Sequence, residues 1–292
     1  MREFAFVALT LLAGGTATAW VAPVAALNTL SRLEGVVVTT DLAYADGPRH
    51  GVDVYAPRGS GGGRPVVVFF YGGGWEEGER ADYRFVGAAL ASRGIVALIP
   101  DYRVYPQVRF PDFLRDAARA VRWAREHAAR FGGDPTRLVL AGHSAGAHIA
   151  AMLAFDPKWL AGERIDARRD IAGVAGLAGP YDFLPLRSPT LKDIFGTEAQ
   201  QALSQPINFV TGREPPAFLA TGARDTAVDP GNTGRMAARI RAQGGEVTTR
   251  IYERADHRTV LGAFARPLRF IAPALDDVAA FVHRVTAGER AA

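Results

Sequence analysis

Residues 138–155 read LVLAGHSAGAHIAAMLAF. The opening residues, 138–141, form a short apolar run of strand length, and the small residues of 145–155 suit a closely packed helix. Between them lies Gly142-His143-Ser144-Ala145-Gly146, a G-x-S-x-G pentapeptide at a strand-to-helix turn. In that setting the serine occupies a sharp turn that projects its Oγ above a sheet. The flanking glycines remove Cβ atoms that would collide with the neighbouring strand and helix. The helix that follows aims its positive end at the same spot, where negative charge can develop. A glycine-rich turn with an incidental serine is the alternative, and the strand–helix context argues against it.

Outward from this turn the chain alternates strand-like and helix-like segments. Residues 36–44 and 52–55, separated by Asp46-Gly47-Pro48, read as an antiparallel pair at a sheet edge. Residues 65–71 (PVVVFFY) and 95–99 are continuous apolar runs of the kind buried on both faces of a sheet. Residues 82–92 look helical, and 111–130 carries Phe113, Leu114, Ala117, Ala120, Val121 and Ala124 at three- and four-residue spacing. Further strands are expected at 171–178, 216–221 and 247–252, with helices around 236–242 and 275–285. This alternation calls for a mostly parallel sheet of about eight strands with helices on both faces: one α/β domain from residue 31 to 292. Residues 183–214 are the one candidate for an inserted cap, too short for a large helical lid.

Composition narrows the function. Apolar residues make up 48% and charged residues 22% of 292, which excludes wholesale disorder. The absence of cysteine removes disulfides, thiolate metal sites and cysteine nucleophiles together. The net charge of +4 comes from scattered arginines rather than a basic stripe, so no nucleic-acid partner is expected. No charge lies between Glu3 and Arg32. Residues 1–30 therefore read as an export signal, with Ala17-Thr18-Ala19 as an A-x-A cleavage site, or as a membrane anchor running through residues 4–31. A segment packed on the domain is the third option. Export or membrane attachment is the expected localisation.

A second glycine-rich element, Tyr71-Gly72-Gly73-Gly74-Trp75, follows the buried run PVVVFF. Successive glycines at a strand end present bare N–H groups to an anion. With the N–H of Ala145 they would form an oxyanion hole. A phosphate cradle is disfavoured because no Gly-Lys-Ser/Thr follows. With both elements in place, residues 36–285 resemble the α/β-hydrolases, in particular small carboxylesterases related to hormone-sensitive lipase and arylformamidase. By that resemblance Gly73 and Gly74 are the loop donors and Ala145 the third. Tyr71 stands where relatives usually carry histidine, which puts the rigidity of the loop in question.

The resemblance implies the order serine, acid, histidine. Thr221-Gly222-Ala223-Arg224-Asp225 resembles the family's acid turn, making Asp225 the acid; Asp229, nearer a helix start, is the alternative. Among His50, His127, His143, His148, His257 and His283, only His257 sits in the loop after the last strand, which makes it the base. Trp75 and Tyr181 adjoin the site along the chain and are expected to line a substrate pocket, with core packing the competing role. Asp101 and Arg103 are expected to pair internally. No metal or other cofactor is implied, since His143 and His148 are wrongly spaced for one helical face and no H-E-x-x-H appears. The expected activity is hydrolysis of small or short-chain carboxylic esters. An arylformamidase-type amide hydrolase and a catalytically silent binding protein are the alternatives, and oligomeric state is not legible.

Overall fold

A computed structural model describes residues 18–59 and 61–287, with side chains from residue 24 onward. Its frame is an eight-stranded sheet in the order β1-β2-β4-β3-β5-β6-β7-β8. The strands are β1 (Val37–Ala43), β2 (Gly51–Ala56), β3 (Arg64–Phe70), β4 (Val96–Pro100), β5 (Gly133–His143), β6 (Ile171–Leu177), β7 (Ala217–Gly222) and β8 (Val247–Tyr252). β1 and β2 pair antiparallel, as does β2 with β4, and every pairing from β4 through β8 is parallel. The mostly parallel eight-stranded architecture read from the sequence is therefore the observed one.

Position in the sheet explains the residue patterns. Every residue of β6 and β7 is buried, as are Val66 to Phe70 of β3, because helices cover both faces. β8 closes the far edge and is largely exposed or half-buried, so its residues mix Thr and Arg with Val and Ile. β5 is longer than the 138–141 run, because Gly133 already pairs with Arg64 on β3 ahead of the apolar stretch.

The helices include α1 (Thr18–Leu30), α2 (Arg84–Ala91), α3 (Asp112–His127), α4 (Ala145–Phe155), α5 (Pro189–Phe195), α6 (Glu198–Leu203), α7 (Gly231–Ala242), α8 (Thr259–Gly262) and α9 (Ala274–Thr286), with single turns at Lys158–Ala161 and Ala167–Asp170. α3 buries the apolar stripe expected of it together with Asp116, which accepts hydrogen bonds from Nε and Nη2 of Arg103, each at 2.8 Å. Asp101 therefore does not pair with Arg103. It accepts from the Tyr71 hydroxyl at 2.9 Å and from Arg80, which arrives from the loop before α2. The 183–214 stretch holds only α5, α6 and a short 3₁₀ turn (Pro206–Phe209). Phe195 of α5 packs edge-on against both Trp75 and His148, so this small cap is fastened to the core rather than hinged over it.

Residues 24–30 of α1 pack on the domain, although the expected domain start was residue 31. Leu27 is buried, and Asn28 donates to the Ala81 carbonyl at 2.9 Å while accepting from the Phe85 N–H at 3.0 Å. Of the leader expected over residues 1–30, or the anchor over residues 4–31, the part up to residue 17 lies outside the described residues. Among the described residues, no helix is long and apolar enough to cross a membrane.

α4 is buried along its whole length and carries His148, whose Nε2–H donates to the Ser204 carbonyl at 2.8 Å. Burial pushes this imidazole down to about 4 from the ordinary 6.5. Between those values the unfolded chain binds a proton that the folded chain excludes. Stability thus falls as pH drops through this window, by about 1.4 kcal/mol per pH unit. The melting temperature is expected to decline from pH 6.5 to pH 4, and less steeply in His148→Gln, whose amide can still reach Ser204. Equal slopes in parent and variant would show that this imidazole is not a proton-excluding group.

Candidate active site

Parallel strands bring the carboxyl ends of β3, β5, β7 and β8 to one rim of the sheet. At the end of β5, Ser144 has φ 54° and ψ −123°, a region that non-glycine residues rarely occupy. The turn is forced by close packing. A Cβ on Gly146 would overlap the carbonyl of Phe70 on β3, and one on Gly142 would overlap the backbone of Gly146. Only hydrogen at both positions lets α4 start so tightly against β3 and β5. The Ser144 N–H is held by the Leu177 carbonyl at 2.9 Å, and its own carbonyl accepts from His148 at 3.1 Å.

Asp225 and His257 arrive from loops that are knitted together. After β7, Arg224 N–H donates to the Ala255 carbonyl at 3.0 Å, and a Cβ on Gly222 would overlap that same carbonyl. Asp225 Oδ1 accepts from the N–H groups of Ala227 and Val228 at 2.9 and 2.8 Å. Its Oδ2 faces Nδ1 of His257 at 2.8 Å, and the carboxylate is sealed from solvent. An ionised carboxylate only accepts, so Nδ1 carries the hydrogen and Nε2 keeps its lone pair. That lone pair lies 2.9 Å from Ser144 Oγ. The three side chains singled out from the sequence meet in one hydrogen-bonded relay. Asp229 lies outside it, exposed and bonded to Gly231 N–H and Arg235.

Above Ser144 the loop after β3 turns back at Gly73 (φ +131°) and Gly74 (φ +61°). Among the described residues, the N–H groups of Gly73 and Gly74 meet no acceptor, and Ala145 opens α4, where N–H groups have no intrahelical partner. Tyr71 supplies the rigidity expected of histidine. It stacks between Tyr83 and Tyr102, receives a hydrogen bond from Arg49 at 3.0 Å, and donates to Asp101. Burial, with Tyr102 and Asp101 close by, pushes its hydroxyl well above the usual range, so it remains a donor.

Ser144 and His257 open into a cleft of about 620 Å³. Its lining combines apolar groups, Val24 of α1 with Tyr83, Phe85 and Leu261, and the carboxylates of Glu76, Glu77 and Asp82. Asp82 is raised above the usual carboxylate range by burial and by Glu79, Asp101 and Glu77 nearby. Trp75 and Tyr181, expected in the pocket wall, are absent from it. The left-handed backbone at Trp75 (φ 64°) turns its indole into the aromatic core beside Phe183 and Phe195. Tyr181 is fully buried over Gly176, where a Cβ would overlap its hydroxyl. Sequence reasoning missed Val24, because its segment looked separable from the domain. It also missed the carboxylates of the lining, although Glu76-Glu77 directly continues the glycine loop.

The sheet order and the strained serine turn define an α/β-hydrolase fold, in which Ser144, His257 and Asp225 are linked by hydrogen bonds. The chain belongs to the BD-FAE family, whose model matches residues 52–240. It is 32% identical over 267 residues to the isoprenylcysteine α-carbonyl methylesterase ICME of Arabidopsis thaliana, covering 84% of this chain and 62% of that protein. It is 31% identical over 217 residues to esterase LipC of Mycobacterium tuberculosis, covering 68% of this chain and 54% of that one. The chain thus spans a little over half the length of both relatives. Among solved structures, apo esterase 2 of Thermogutta terrifontis superposes with a TM-score of 0.66 at 27% identity, covering 84% of this chain and 95% of that one. That esterase has also been solved phosphoramylated by tabun and with propionate or butyrate bound.

Substituting Gly73 tests the anion site directly. A Cβ there would overlap the Glu77 carbonyl, in a backbone conformation that disfavours any side chain. Gly73→Ala is expected to slow labelling of Ser144 by a fluorophosphonate by about 100-fold, the scale of losing one oxyanion donor, with the circular dichroism unchanged. An unaltered labelling rate would place the anion elsewhere.

Proposed function

We propose that the protein is a serine carboxylesterase acting on small, short-chain esters. The carrying observation is the relay from Asp225 through His257 to Ser144, with contacts of 2.8 and 2.9 Å, beside the glycine loop after β3. His257 Nε2 takes the Ser144 proton as Oγ bonds to the ester carbonyl carbon. The carbonyl π pair moves onto oxygen, where the N–H groups of Gly73, Gly74 and Ala145 stabilise it, each by on the order of 3 kcal/mol. Collapse of the tetrahedral species breaks the bond to the alcohol, which leaves with the proton from His257. Water then attacks the acyl-serine, His257 takes its proton, and the acid departs as Oγ is reprotonated. Asp225 holds the imidazole in the required tautomer and favours its transient positive charge.

The substrate class rests on the cleft. Its volume suits a small ester, and its apolar lining suits a short acyl chain. The propionate and butyrate found in the Thermogutta esterase are acids of that size. The carboxylates of Glu76, Glu77 and Asp82 in its lining disfavour substrates that are already anionic.

A p-nitrophenyl ester series from acetate to palmitate, with N-formylkynurenine as an amide arm, tests the reading. Acetate and butyrate should turn over fastest, and Ser144→Ala should cut kcat by at least about 10⁴-fold. Faster cleavage of palmitate or of the formamide would overturn the substrate assignment, and failure of Ser144 to react with a fluorophosphonate would overturn the mechanism. Val24→Trp enlarges the apolar lining from α1. It should lower kcat/KM for butyrate relative to acetate by about tenfold, the scale of a few misplaced methylenes. An unchanged ratio would mean the acyl chain lies against a different part of the lining.

A further inference from the structure

The residue before the nucleophile has no part in the relay, yet it touches the base. We propose that His143 is a positioning residue for His257, gripping its main chain through a hydrogen bond from the imidazole Nε2–H to the His257 carbonyl. The proposal rests on the esterase reading above and assigns a further residue to the same reaction.

The Nε2–O separation is 2.7 Å, and the two rings lie 4.8 Å apart between centroids at 46°. A carbonyl oxygen only accepts, so Nε2 of His143 must carry the hydrogen and Nδ1 is left as a bare acceptor. Nδ1 is buried and meets no partner among the described residues. It sits over Gly72, where a Cβ would come within 3.0 Å of it, so the ring is wedged between the glycine loop and the base. Burial first, and then the neighbouring His257, hold this imidazole down to about 3, so it is neutral around neutral pH. A neutral donor is what the position requires, because a second cation beside the protonated base would oppose its formation.

The grip has a geometric consequence. The His257 ring is fixed at Nδ1 by Asp225 and reaches Ser144 from Nε2, but its loop must also be held at the right distance from the nucleophile. Among the described residues, the contact from His143 is the sole protein hydrogen bond to the His257 main chain. His143 and Ser144 are adjacent in sequence. The same turn that aims the nucleophile therefore also sets how far away the base stands.

The test compares His143→Phe, which keeps a ring without the donor, with His143→Gln, whose amide can donate from nearly the same place. With p-nitrophenyl acetate, His143→Phe is expected to lose about 10- to 100-fold in kcat at a KM within about twofold of the parent, the penalty of a slightly displaced catalytic group. His143→Gln is expected to recover kcat to within about threefold of the parent. Melting temperatures are measured for both. Turnover that follows the donor and not the melting temperature supports positioning. Equal loss in the two variants, or full activity in His143→Phe, overturns it. If His143→Phe does not fold, His143→Gln decides alone, since loss of its turnover at parental melting temperature overturns the proposal and retention supports it. Absence of turnover in the parent, by contrast, would count against the esterase reading itself.

Discussion

The carbonyl of Phe70 occupies the space that a side chain at position 146 would need, and the whole site follows from that crowding. Because α4 begins so close to β3, the chain leaving β5 has to reverse within one residue, and Ser144 takes the strained conformation that results. Such a backbone costs on the order of 1–3 kcal/mol. It is held by main-chain hydrogen bonds to Leu177 and from His148 and by the burial of the entire helix. Relaxing the strain would require lifting α4 off the sheet. Ser144 is thus presented by the packing of the core and needs no flexible loop to aim it.

A similar logic governs the anion site, although its anchor is electrostatic. Arg80 gathers Asp53, Asp101 and Asp41, and Asp101 in turn receives the Tyr71 hydroxyl. Removing Arg80 would leave the buried Asp53 and Asp101 without their shared cation, so the group depends on that one guanidinium. Tyr102 adds a hydrogen bond from its hydroxyl to the Tyr71 carbonyl at 2.7 Å. The glycines that follow can then be unhindered without being loose, since the residue before them is clamped on both faces and at both ends.

What the sequence disclosed, and what it withheld, divides along physical lines. Central strands such as β3 and β6 are buried on both faces, so they appear as uninterrupted apolar runs that nothing else explains. Ser144 is recognisable from its own glycine-flanked turn, whereas Asp225 and His257 are recognisable through the family order that the resemblance implies and their places after the strands that became β7 and β8. Side-chain direction was not. Trp75 follows the glycine loop immediately, but a positive φ sends it inward, and neighbouring residues carry no sign of that reversal. The partner of Asp101 is likewise set by tertiary packing: Arg80 lies 21 residues away, whereas Arg103 is close in sequence and spent on Asp116. The uncharged leader-like composition of the first residues hid the fact that Val24, Leu27 and Asn28 belong to the folded body.

Under the proposed esterase activity, the carboxylates that line the cleft bear on the end of the reaction as much as on its start. Ester cleavage turns an uncharged reactant into an acid that ionises at neutral pH, between Glu76, Glu77 and Asp82 with Arg258 as the one cation among the lining residues. A newly formed anion facing a surplus of negative charge is pushed toward solvent. The cleft thereby has a built-in asymmetry between what enters and what departs, and accumulated free acid would compete only weakly for the vacated space.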